Sequence, residues 1–348
     1  MNYRKNSTTV YSVAKHAGVS ATTASRVLSG SDYPVSAGTK DKVLASASDL
    51  GYYAGKGAGK NNRGAVAVII PNLINPFYNS LIMGLEYSLR ISGMSTVLMN
   101  TDGSLELEKN FIKGILKNRI SGVIISPVGD DCEHLRDLEK QGVIVVVIEQ
   151  APSIDCNKIS FNYRGGGIEA TQYLISRGCK SIGFICSPLT KHSRREVYAG
   201  YVTALESKGV VIDEKYIYIS KEERPSLNNI VENHAFNNGL LSVQAMIDRN
   251  SLPEALFCGN DITAFGVMQG LQKNGVRIPQ DVSVIGFDNT SFSAMVYPRL
   301  TTIDQSTYEM GNMAAEILAG RLEDEYRRNI CVTLEPRLII RDSTINSD

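Results

Sequence analysis

Thr22, Ser25 and Arg26 recur at the spacing that places side chains on one face of a helix. Two small hydroxyl groups and one guanidinium make a slim polar face that can enter the major groove of DNA and bond to base edges. Ser20 is a good N-cap for this helix, and Gly18 supplies the backbone freedom that a tight turn before it needs. The pattern predicts the second helix of a helix-turn-helix, with Thr22 and Arg26 as base readers.

Three helices are expected to position this face, because three apolar stripes occur at helical spacing before residue 51. Packed together, the stripes would form one small core and leave the polar face outside. Ala21, at the start of the second helix, would then lie against a thymine methyl group or the DNA backbone. The stripes consist of Val10, Val13, Ala14 and Ala17, of Ala24, Val27 and Leu28, and of Val43, Leu44, Ala47 and Leu50.

A second set of polar residues follows predicted strands further along the chain. Asn260 and Asp261 come after the apolar run ALFCG, and Asp288 comes after SVIGF. Amide and carboxylate oxygens can bond the vicinal hydroxyls of a sugar, and aromatic rings can cover its apolar faces. Asp261 could instead cap the following helix, and Asn75 could start a turn before Pro76. The candidate ligand residues of this set are Asn75, Phe77, Tyr78, Ser126, Glu149, Phe161, Asn260, Asp261 and Asp288.

From residue 65 onward, apolar strands alternate with helical segments. Runs such as Ala65–Ile70 and Val143–Ile148 begin the series, and a second series of the same kind extends to residue 287. The alternation predicts an α/β body with two doubly wound parallel sheets in two lobes, each sheet covered on both faces. Ligands bind at the carboxyl ends of the strands in such sheets, which is where the polar residues above occur. Residues 51–64 are rich in glycine and have no apolar period, so they are predicted to be a linker.

The charges are unevenly distributed, although the 348-residue chain is formally neutral at pH 7. Residues 1–63 hold nine basic and three acidic side chains, a net charge of +6, so the rest of the chain carries −6. A basic segment on an acidic body favours contact with nucleic-acid phosphates by that segment alone. The alternative is a basic tail that is merely solvated.

The cysteines and histidines argue against metal and disulfide chemistry. Six cysteines occur without a C-x-x-C pair, and only four histidines are present, which suits a reducing cytosol. No apolar run approaches the roughly 18 residues of a membrane span, and the first residues lack the apolar core of a signal peptide. We therefore expect a cytoplasmic protein without a metal site.

Catalytic motifs are not found in the sequence. Residues 165–170 (GGGIEA) fit a loose G-x-G-x-x-A dinucleotide fingerprint. The preceding strand is short, however, and the match falls outside the first βα turn of a sheet, so close helix packing explains the glycines better. G-x-S-x-G, H-E-x-x-H and phosphate-loop motifs do not occur in the chain. The sequence thus predicts no enzyme and no cofactor.

The segment VAKHAGVSATTASRVLSG at 13–30 resembles the headpiece signature of the LacI family of bacterial transcriptional regulators. The resemblance runs from about residue 8 to about residue 336. It implies a homodimer that binds a pseudo-palindromic operator, and an effector domain akin to periplasmic sugar-binding proteins. The body motifs that carry it are IPNLINPFY at 70–78, GVIISP at 122–127, ALFCGNDITAFG at 255–266, IPQDVSVIGFDN at 278–289 and PRLTTIDQ at 298–305.

The resemblance also implies domain boundaries. The headpiece would span residues 1–52 and the hinge 53–64. The chain would cross between lobes near residues 162, 291 and 321, so that one lobe contains 65–161 and 292–321 and the other contains 162–291 and 322–348. The C-terminal sequence LIIRDSTINSD carries no leucine heptads, so we expect a dimer rather than a coiled-coil tetramer.

Site residues can be carried over where this chain matches the family. Tyr11, Ser20 and Ser25 match positions that contact phosphates or bases, and Glu149, Phe161, Asp288 and Gln305 match positions that line the effector cleft. Many members carry an arginine where this chain has Val197, so either Arg194 or Arg195 takes its place or the ligand needs no such arginine. The hinge also departs from the family, because it is short, rich in glycine and without the leucine that wedges into the minor groove. Lys56 and Lys60 could still follow the phosphates.

The leading interpretation is a regulator, expected to be a repressor, whose operator affinity responds to a sugar or sugar derivative. A purine or a phosphorylated metabolite stays open as the effector, since a fold does not fix its ligand. A solute-binding module for a transporter would share the two-lobed body but would need an export signal and no basic headpiece. An enzyme on a doubly wound fold would need the catalytic residues that the sequence lacks.

Overall fold

The computed structural model describes residues 10–28, 34–50, 64–117, 120–149, 154–221, 234–323 and 328–345. The chain divides into two compact units, residues 1–63 and residues 64–348. Apart from Gly64, the predicted glycine-rich linker lies outside the described residues. Among the helices of the described ranges, none combines the length and the apolar character that crossing a membrane requires.

Three helices are described in the small unit: α1 (Val10–Ala17), α2 (Ala21–Leu28) and α3 (Ala37–Asp49). Their apolar stripes meet in one core, as the helical spacing predicts. Leu44 departs from the prediction, since it is 46% exposed. It follows Val43, which faces the core, and successive residues of a helix point about 100° apart. The buried core residues are Val13, Ala14, Ala24, Val27, Val43 and Ala47.

The turn between α1 and α2 forms as the sequence predicts. Gly18 has a φ of +66°, in the left-handed region where glycine avoids the steric cost of a side chain. The Ser20 hydroxyl oxygen accepts a hydrogen bond of 3.0 Å from the backbone N–H of Thr23, which confirms Ser20 as the N-cap of α2.

Strands and helices alternate through the large unit. Its described elements, in chain order, are β1 (Ala65–Ile70), α4 (Pro76–Ile91), β2 (Ser95–Asn100), α5 (Leu105–Lys117), β3 (Ile120–Ile125), α6 (Arg136–Lys140), β4 (Ile144–Ile148), β5 (Asn157–Phe161), α7 (Tyr163–Ser176), β6 (Ile182–Cys186), α8 (His192–Ser207), β7 (Ile217–Ile219), α9 (His234–Asp248), β8 (Ala255–Cys258), α10 (Asp261–Lys273), β9 (Ser283–Asp288), β10 (Thr301–Asp304), α11 (Thr307–Glu323), β11 (Cys331–Leu334) and β12 (Arg337–Ile339).

These strands form two six-stranded sheets, one in each lobe. The N-lobe sheet has the order β11-β5-β4-β3-β1-β2, and the C-lobe sheet has the order β12-β10-β9-β8-β6-β7. All neighbouring strands are parallel except β10 and β12, which are antiparallel. The fold class is therefore a helix-turn-helix headpiece plus a two-lobed α/β body, and the carboxyl ends of the parallel strands position the loops considered below.

The second and third crossings between the lobes lie later in the chain than expected. The first follows β5, at Asn162, but β10 at 301–304 still pairs with β9 in the C-lobe. The second crossing therefore follows Asp304, not residue 291. Helix α11 packs on α4 in the N-lobe, and β11 pairs with β5 before β12 returns to the C-lobe sheet. The third crossing thus falls near residue 335 rather than 321, because β11 completes the N-lobe sheet first.

Residues 165–167 serve helix packing. A side-chain carbon at Gly167 would lie 2.3 Å from the carbonyl oxygen of Val197, and one at Gly200 would lie 2.2 Å from the carbonyl oxygen of Arg164. Helices α7 and α8 are in close contact there. A side-chain carbon at Gly166 would instead lie 2.8 Å from the Phe287 ring, and one at Gly165 would lie 2.6 Å from Nδ2 of Asn162. The structure thus accounts for these glycines by close packing and not by a dinucleotide turn.

Candidate functional site

The outward face of the headpiece carries the polar residues that the sequence singles out. Tyr11 is 75% exposed, and Ser20, Thr22 and Ser25 are also exposed. Ala21 and Arg26 are half-buried at the edge of the helix core. Helix α2 therefore has an outer face of hydroxyl groups and one guanidinium and an inner apolar face that is buried. A helix that reads bases in the major groove needs both faces. Lys56 and Lys60, the predicted phosphate contacts, lie outside the described residues.

A polar cleft lies between the two lobes, at the carboxyl ends of strands from both sheets. Asn75 and Glu149 contribute from the N-lobe, and Asn260 and Asp288 contribute from the C-lobe. This juxtaposition follows from the parallel topology, which brings strand ends of one sheet to the same edge. The described residues that line the cleft are Pro71, Asn72, Asn75, Phe77, Tyr78, Glu149, Tyr163, Lys191, Ser193, Arg194, Val197, Gly259, Asn260, Phe287, Asp288 and Gln305.

Glu149 is held at the N-lobe wall of the cleft. It follows the last residue of β4 and has a φ of +69°, in the left-handed region. Its carboxylate accepts a hydrogen bond of 2.6 Å from the Tyr78 hydroxyl and a short one from the Ser126 hydroxyl. Burial raises the pKa of Tyr78, and the charge of Glu149 raises it further. Tyr78 therefore stays protonated and donates to the carboxylate.

Asp288 stands at the C-lobe wall and is only 7% exposed. Its carboxylate accepts a hydrogen bond of 2.6 Å from Nε2 of Gln305. Burial raises the pKa of Asp288 well above its usual range, and the nearby carboxylates of Asp261 and Glu149 raise it further. The Gln305 hydrogen bond and the charge of Arg194 act in the opposite direction. Asp288 is therefore a carboxyl group that gains from a hydrogen-bonding or cationic neighbour.

Two asparagines of the lining also cap helices. The Asn75 side chain accepts a hydrogen bond of 3.1 Å from the backbone N–H of Phe77, and the Asn260 side chain accepts one of 2.8 Å from that of Thr263. The rings of Phe77 and Tyr78 meet edge to face at 5.1 Å. The side-chain amides of the two asparagines are thus fixed relative to the aromatic wall.

Four residues predicted for this site do not line it. Arg195 turns away from the cleft and pairs with Asp130, and it also donates to the carbonyl of Thr190. Ser126 lies behind Glu149 as its hydrogen-bond donor and is 0% exposed. Phe161 belongs to the aromatic core below the cleft, where its ring is 5.9 Å from that of Phe287.

Asp261 is the fourth residue, and it is completely buried in the C-lobe. Its carboxylate accepts hydrogen bonds from the backbone N–H of Thr290 at 2.7 Å and from the Thr302 hydroxyl at 2.6 Å. Asn260, and not Asp261, caps α10. Since neighbouring residues at a helix start point in different directions, Asn260 faces the cleft and Asp261 faces the core.

Several lining residues were missed by the sequence analysis. Tyr163 is the first residue of α7 and lies two residues after the end of β5. Because ligands bind at the ends of parallel strands, recognising this short strand would have indicated Tyr163. Lys191, Ser193 and Arg194 open α8, five or more residues beyond β6. Of the two arginines considered as replacements for Val197, the structure brings Arg194 into the lining and leaves Arg195 out. The rotation of α8 about its axis, which buries Val197 and Gly200, determines which of the two arginines faces the cleft.

Known families match both units of the chain. Residues 9–54 match the family of bacterial regulatory proteins described as the lacI family, and residues 171–344 match the periplasmic binding protein-like domain.

Curated relatives extend the match over nearly the whole chain. The catabolite control protein A of Priestia megaterium is 30% identical over 343 residues, which cover 97% of this chain and 99% of that protein. The HTH-type transcriptional repressor PurR of Photobacterium profundum is 30% identical over 341 residues, which cover 96% and 98%. Among solved structures, a complex of the transcriptional regulator CelR with cellobiose has a TM-score of 0.70 at 26% identity, covering 97% of this chain and 100% of that one.

Proposed function

The chain belongs to the LacI family of bacterial regulatory proteins, and we propose that it is a repressor that binds a pseudo-palindromic operator as a homodimer. Like its relatives, it is a transcriptional regulator and not an enzyme. A polyhydroxylated, sugar-like effector binds between the lobes in this proposal and changes the operator affinity.

The cleft lining carries the proposal for the effector. Asp288 and Glu149 offer carboxylate oxygens from opposite lobes, and Asn75 and Asn260 add amide groups. These carboxylates and amides can form hydrogen bonds with a ligand that has several hydroxyl groups, and the rings of Phe77 and Tyr78 can cover its apolar face. The similarity to CelR, whose structure holds cellobiose, supports the same class of ligand.

The headpiece supports operator reading by α2. Thr22 and Ser25 are exposed on its outer face, with Arg26 at the edge. Arginine bonds two acceptors of guanine at once, which is the commonest specific contact in the major groove. The net charge of +6 on residues 1–63 adds the attraction to phosphates on which such binding depends.

An exposed apolar stripe supports the homodimer. Met83, Tyr87 and Ile91 recur at every fourth residue of α4 and are 65%, 48% and 69% exposed. Val97 and Leu98 of the neighbouring edge strand β2 are also exposed. A contiguous apolar surface of this kind marks a protein contact, and a two-fold axis would cover the same stripe on both copies. Sedimentation at micromolar concentration tests this, and a monomer or tetramer would contradict it.

The crossings between the lobes supply the route from effector to operator. A ligand that contacts both walls favours the lobe arrangement in which both contacts are made. It shifts the equilibrium only by the difference between its affinities for the two arrangements, and operator affinity then changes by the same coupling free energy.

A thermal-shift screen with sugars, sugar derivatives and nucleobases tests the effector proposal. A ligand present at 100 times its dissociation constant stabilises the folded protein by about 2.7 kcal/mol. We expect hits among polyhydroxylated compounds, and a change in the affinity for an operator selected from random DNA when the hit is added. Stabilisation by nucleobases alone would contradict the sugar-like effector, and a hit without any change in operator affinity would contradict the coupling.

A further inference from the structure

The turn at the end of β9 has an unfavourable backbone conformation. Asp288 and Asn289 have φ values of +128° and +52°, in the left-handed region that residues other than glycine rarely adopt. Such a conformation persists only where the surrounding structure holds it in place. Thr290, the next residue, is only 3% exposed. Asp288 therefore lines the cleft from a turn whose conformation depends on neighbouring groups.

Asp261 contacts this turn from its buried side and is itself 0% exposed. Its Oδ2 accepts hydrogen bonds from the backbone N–H of Thr290 at 2.7 Å, from the Thr290 hydroxyl at 3.1 Å and from the Ser293 hydroxyl. Its Oδ1 accepts a hydrogen bond of 2.6 Å from the Thr302 hydroxyl. Hydrogen bonds to a charged group are the strong ones, so four donors from three residues are held by one carboxylate at the start of α10.

Two further groups hold the same turn. The Thr302 hydroxyl oxygen accepts a hydrogen bond of 3.3 Å from the backbone N–H of Asn289, and Arg341 donates to the side-chain oxygen of Asn289 at 2.6 Å. Gly286, inside β9, leaves room for the network, because a side-chain carbon there would collide with Oδ1 of Asp261. The end of the strand and the turn that follows it are therefore both fitted to this carboxylate.

We propose that Asp261 is a positioning residue for the effector site: it fixes the turn at 288–290 and thereby directs the Asp288 carboxyl into the cleft, without contacting the effector itself. This inference rests on the proposed function, because it assigns a residue to the same site. Asn260, the neighbour of Asp261, lines the cleft as the N-cap of α10. One buried carboxylate therefore connects the two C-lobe segments that bring Asn260 and Asp288 to the cleft.

A positioning role and a merely structural role differ in what they predict for Asp288. Because Asp288 is buried, Asp288→Asn removes a buried charge and should raise the melting temperature by about 2–4 °C at neutral pH. The size of this gain reports how firmly the carboxyl is held in the lining, since a carboxyl that can turn toward solvent escapes the burial that disfavours its charge. A merely structural Asp261 would affect the melting temperature but not this gain.

The test measures the gain from Asp288→Asn in several backgrounds of the full chain, by melting curves without any effector. Thr302→Val removes the hydroxyl that joins Asp261 to the turn and leaves both carboxyl groups in place. We expect the gain to fall by about half or more in Thr302→Val, because residues of one network couple, and to return in Thr302→Ser, which keeps the hydroxyl. Thr171→Val is the matched control. It removes a buried hydrogen bond of 2.8 Å to the carbonyl of Gly167 in α7 and should retain the whole gain.

Amide hydrogen exchange of the unaltered protein is a second measurement, and it needs no variant to fold. The backbone N–H groups of Asn289 and Thr290 should exchange as slowly as those of β9, although they lie in a turn.

Fast exchange of these two N–H groups would overturn the inference. The same holds if the gain is equal in Thr302→Val and Thr171→Val, or if Asp288→Asn gives no gain in any background. Each of these results would leave the proposed effector standing, because no effector is present in the measurements. A failed effector screen would conversely contradict the proposed function and leave the positioning of Asp288 by Asp261 intact.

Discussion

Asp288 combines a binding role with a cost to the stability of the ligand-free protein. Its carboxyl group is nearly inaccessible to water and lies near Asp261 and Glu149, so its pKa is raised by burial first and by these charges second. The folded protein therefore holds this proton to a higher pH than the unfolded chain does. Above the ordinary pKa of an aspartate, about 4, the unfolded chain releases this proton more readily than the folded protein, so the folded state loses stability as the pH rises.

We expect Asp288→Asn to stabilise the ligand-free protein at neutral pH and to weaken effector binding. The amide oxygen can still accept from Gln305, but the buried charge is gone. A gain of about 1 kcal/mol would raise the melting temperature by about 2–4 °C for a domain of this size. The gain should shrink as the pH falls from neutral toward about 4, the ordinary pKa of an aspartate, because the carboxyl of the unfolded wild-type chain then takes up its proton as well. Melting curves between these pH values check this, and a gain that does not change with pH would contradict it.

Arg26 is expected to set base discrimination in the headpiece. Arg26→Ala should reduce the ratio of operator to scrambled-DNA affinity by about 5–150-fold for each headpiece bound, because one arginine–guanine contact contributes about 1–3 kcal/mol of discrimination. Lys40→Ala, at an exposed position of α3, removes the same charge and is the control. It should weaken binding to the two DNAs equally or leave both affinities unchanged. Anisotropy titrations with the two DNAs measure this ratio. A loss shared equally by both DNAs in Arg26→Ala would assign Arg26 to phosphate contact.

Single residues also show how far a sequence predicts a site. Asp288 and Glu149 follow apolar runs, so their place at strand ends was predictable from local pattern. Asn260 and Asp261 are adjacent and chemically similar, and only the rotation of α10 decides that one faces the cleft and the other the core. Arg194 and Arg195 raise the same difficulty. Such choices depend on how a helix packs on its neighbours, which a single sequence does not specify.

At the scale of elements, the contact between α7 and α8 depends on glycines. Gly200→Ala should destabilise the protein strongly, because the new carbon would lie 2.2 Å from the carbonyl oxygen of Arg164 and backbone cannot easily move. Gly114→Ala is the matched control: it lies in α5 with nothing within 4 Å, so it should stabilise by up to about 1 kcal/mol through helix propensity alone. Urea unfolding of both variants gives the comparison. Tolerance of Gly200→Ala would mean that the two helices are not in close contact.

The pair of Asp130 and Arg195 connects the two lobes. Both side chains are nearly half-exposed, at 46% and 42%. We expect Asp130→Asn to reduce the free energy of unfolding by at most about 1 kcal/mol, because an exposed ion pair usually contributes no more than that. A double-mutant cycle with Arg195→Gln isolates the coupling, and its value should decline with added salt. A coupling that is insensitive to salt would contradict an exposed ion pair as its origin.

The alternation of elements was predictable from sequence, whereas their assignment to lobes was not. The bounds of β1 and β8 coincide with the apolar runs Ala65–Ile70 and Ala255–Cys258. By contrast, β11 and β12 are separated by only two residues and belong to different sheets. The side chains of β11 alternate between exposed and half-buried positions, and none of the β12 side chains is fully buried, so both strands lack the apolar run that identifies a buried strand. Lobe membership of such edge strands is decided by pairing with distant residues.

At the scale of the whole molecule, the charges divide the chain into a part that attracts DNA and a part that does not. The headpiece and linker carry +6, and the body carries −6. Long-range attraction to DNA is therefore confined to one end, and the acidic body disfavours nonspecific contact with phosphates. Salt dependence of operator binding then reports on residues 1–63 almost alone.

That dependence also tests the number of subunits on the operator. The logarithm of the binding constant falls with the logarithm of the salt concentration by about 0.9 per phosphate contact. Lys56→Ala and Lys60→Ala are each expected to remove one phosphate contact per headpiece, so in a homodimer the slope should decrease in magnitude by about 1.8, and in a monomer by about 0.9. Lys273→Ala, on an exposed position at the end of α10 in the body, should leave the slope unchanged. Anisotropy titrations between roughly 50 and 300 mM KCl resolve these values. An unchanged slope in the linker variants would mean that the segment does not contact phosphates, and the binding attraction would then have to come from the headpiece helices.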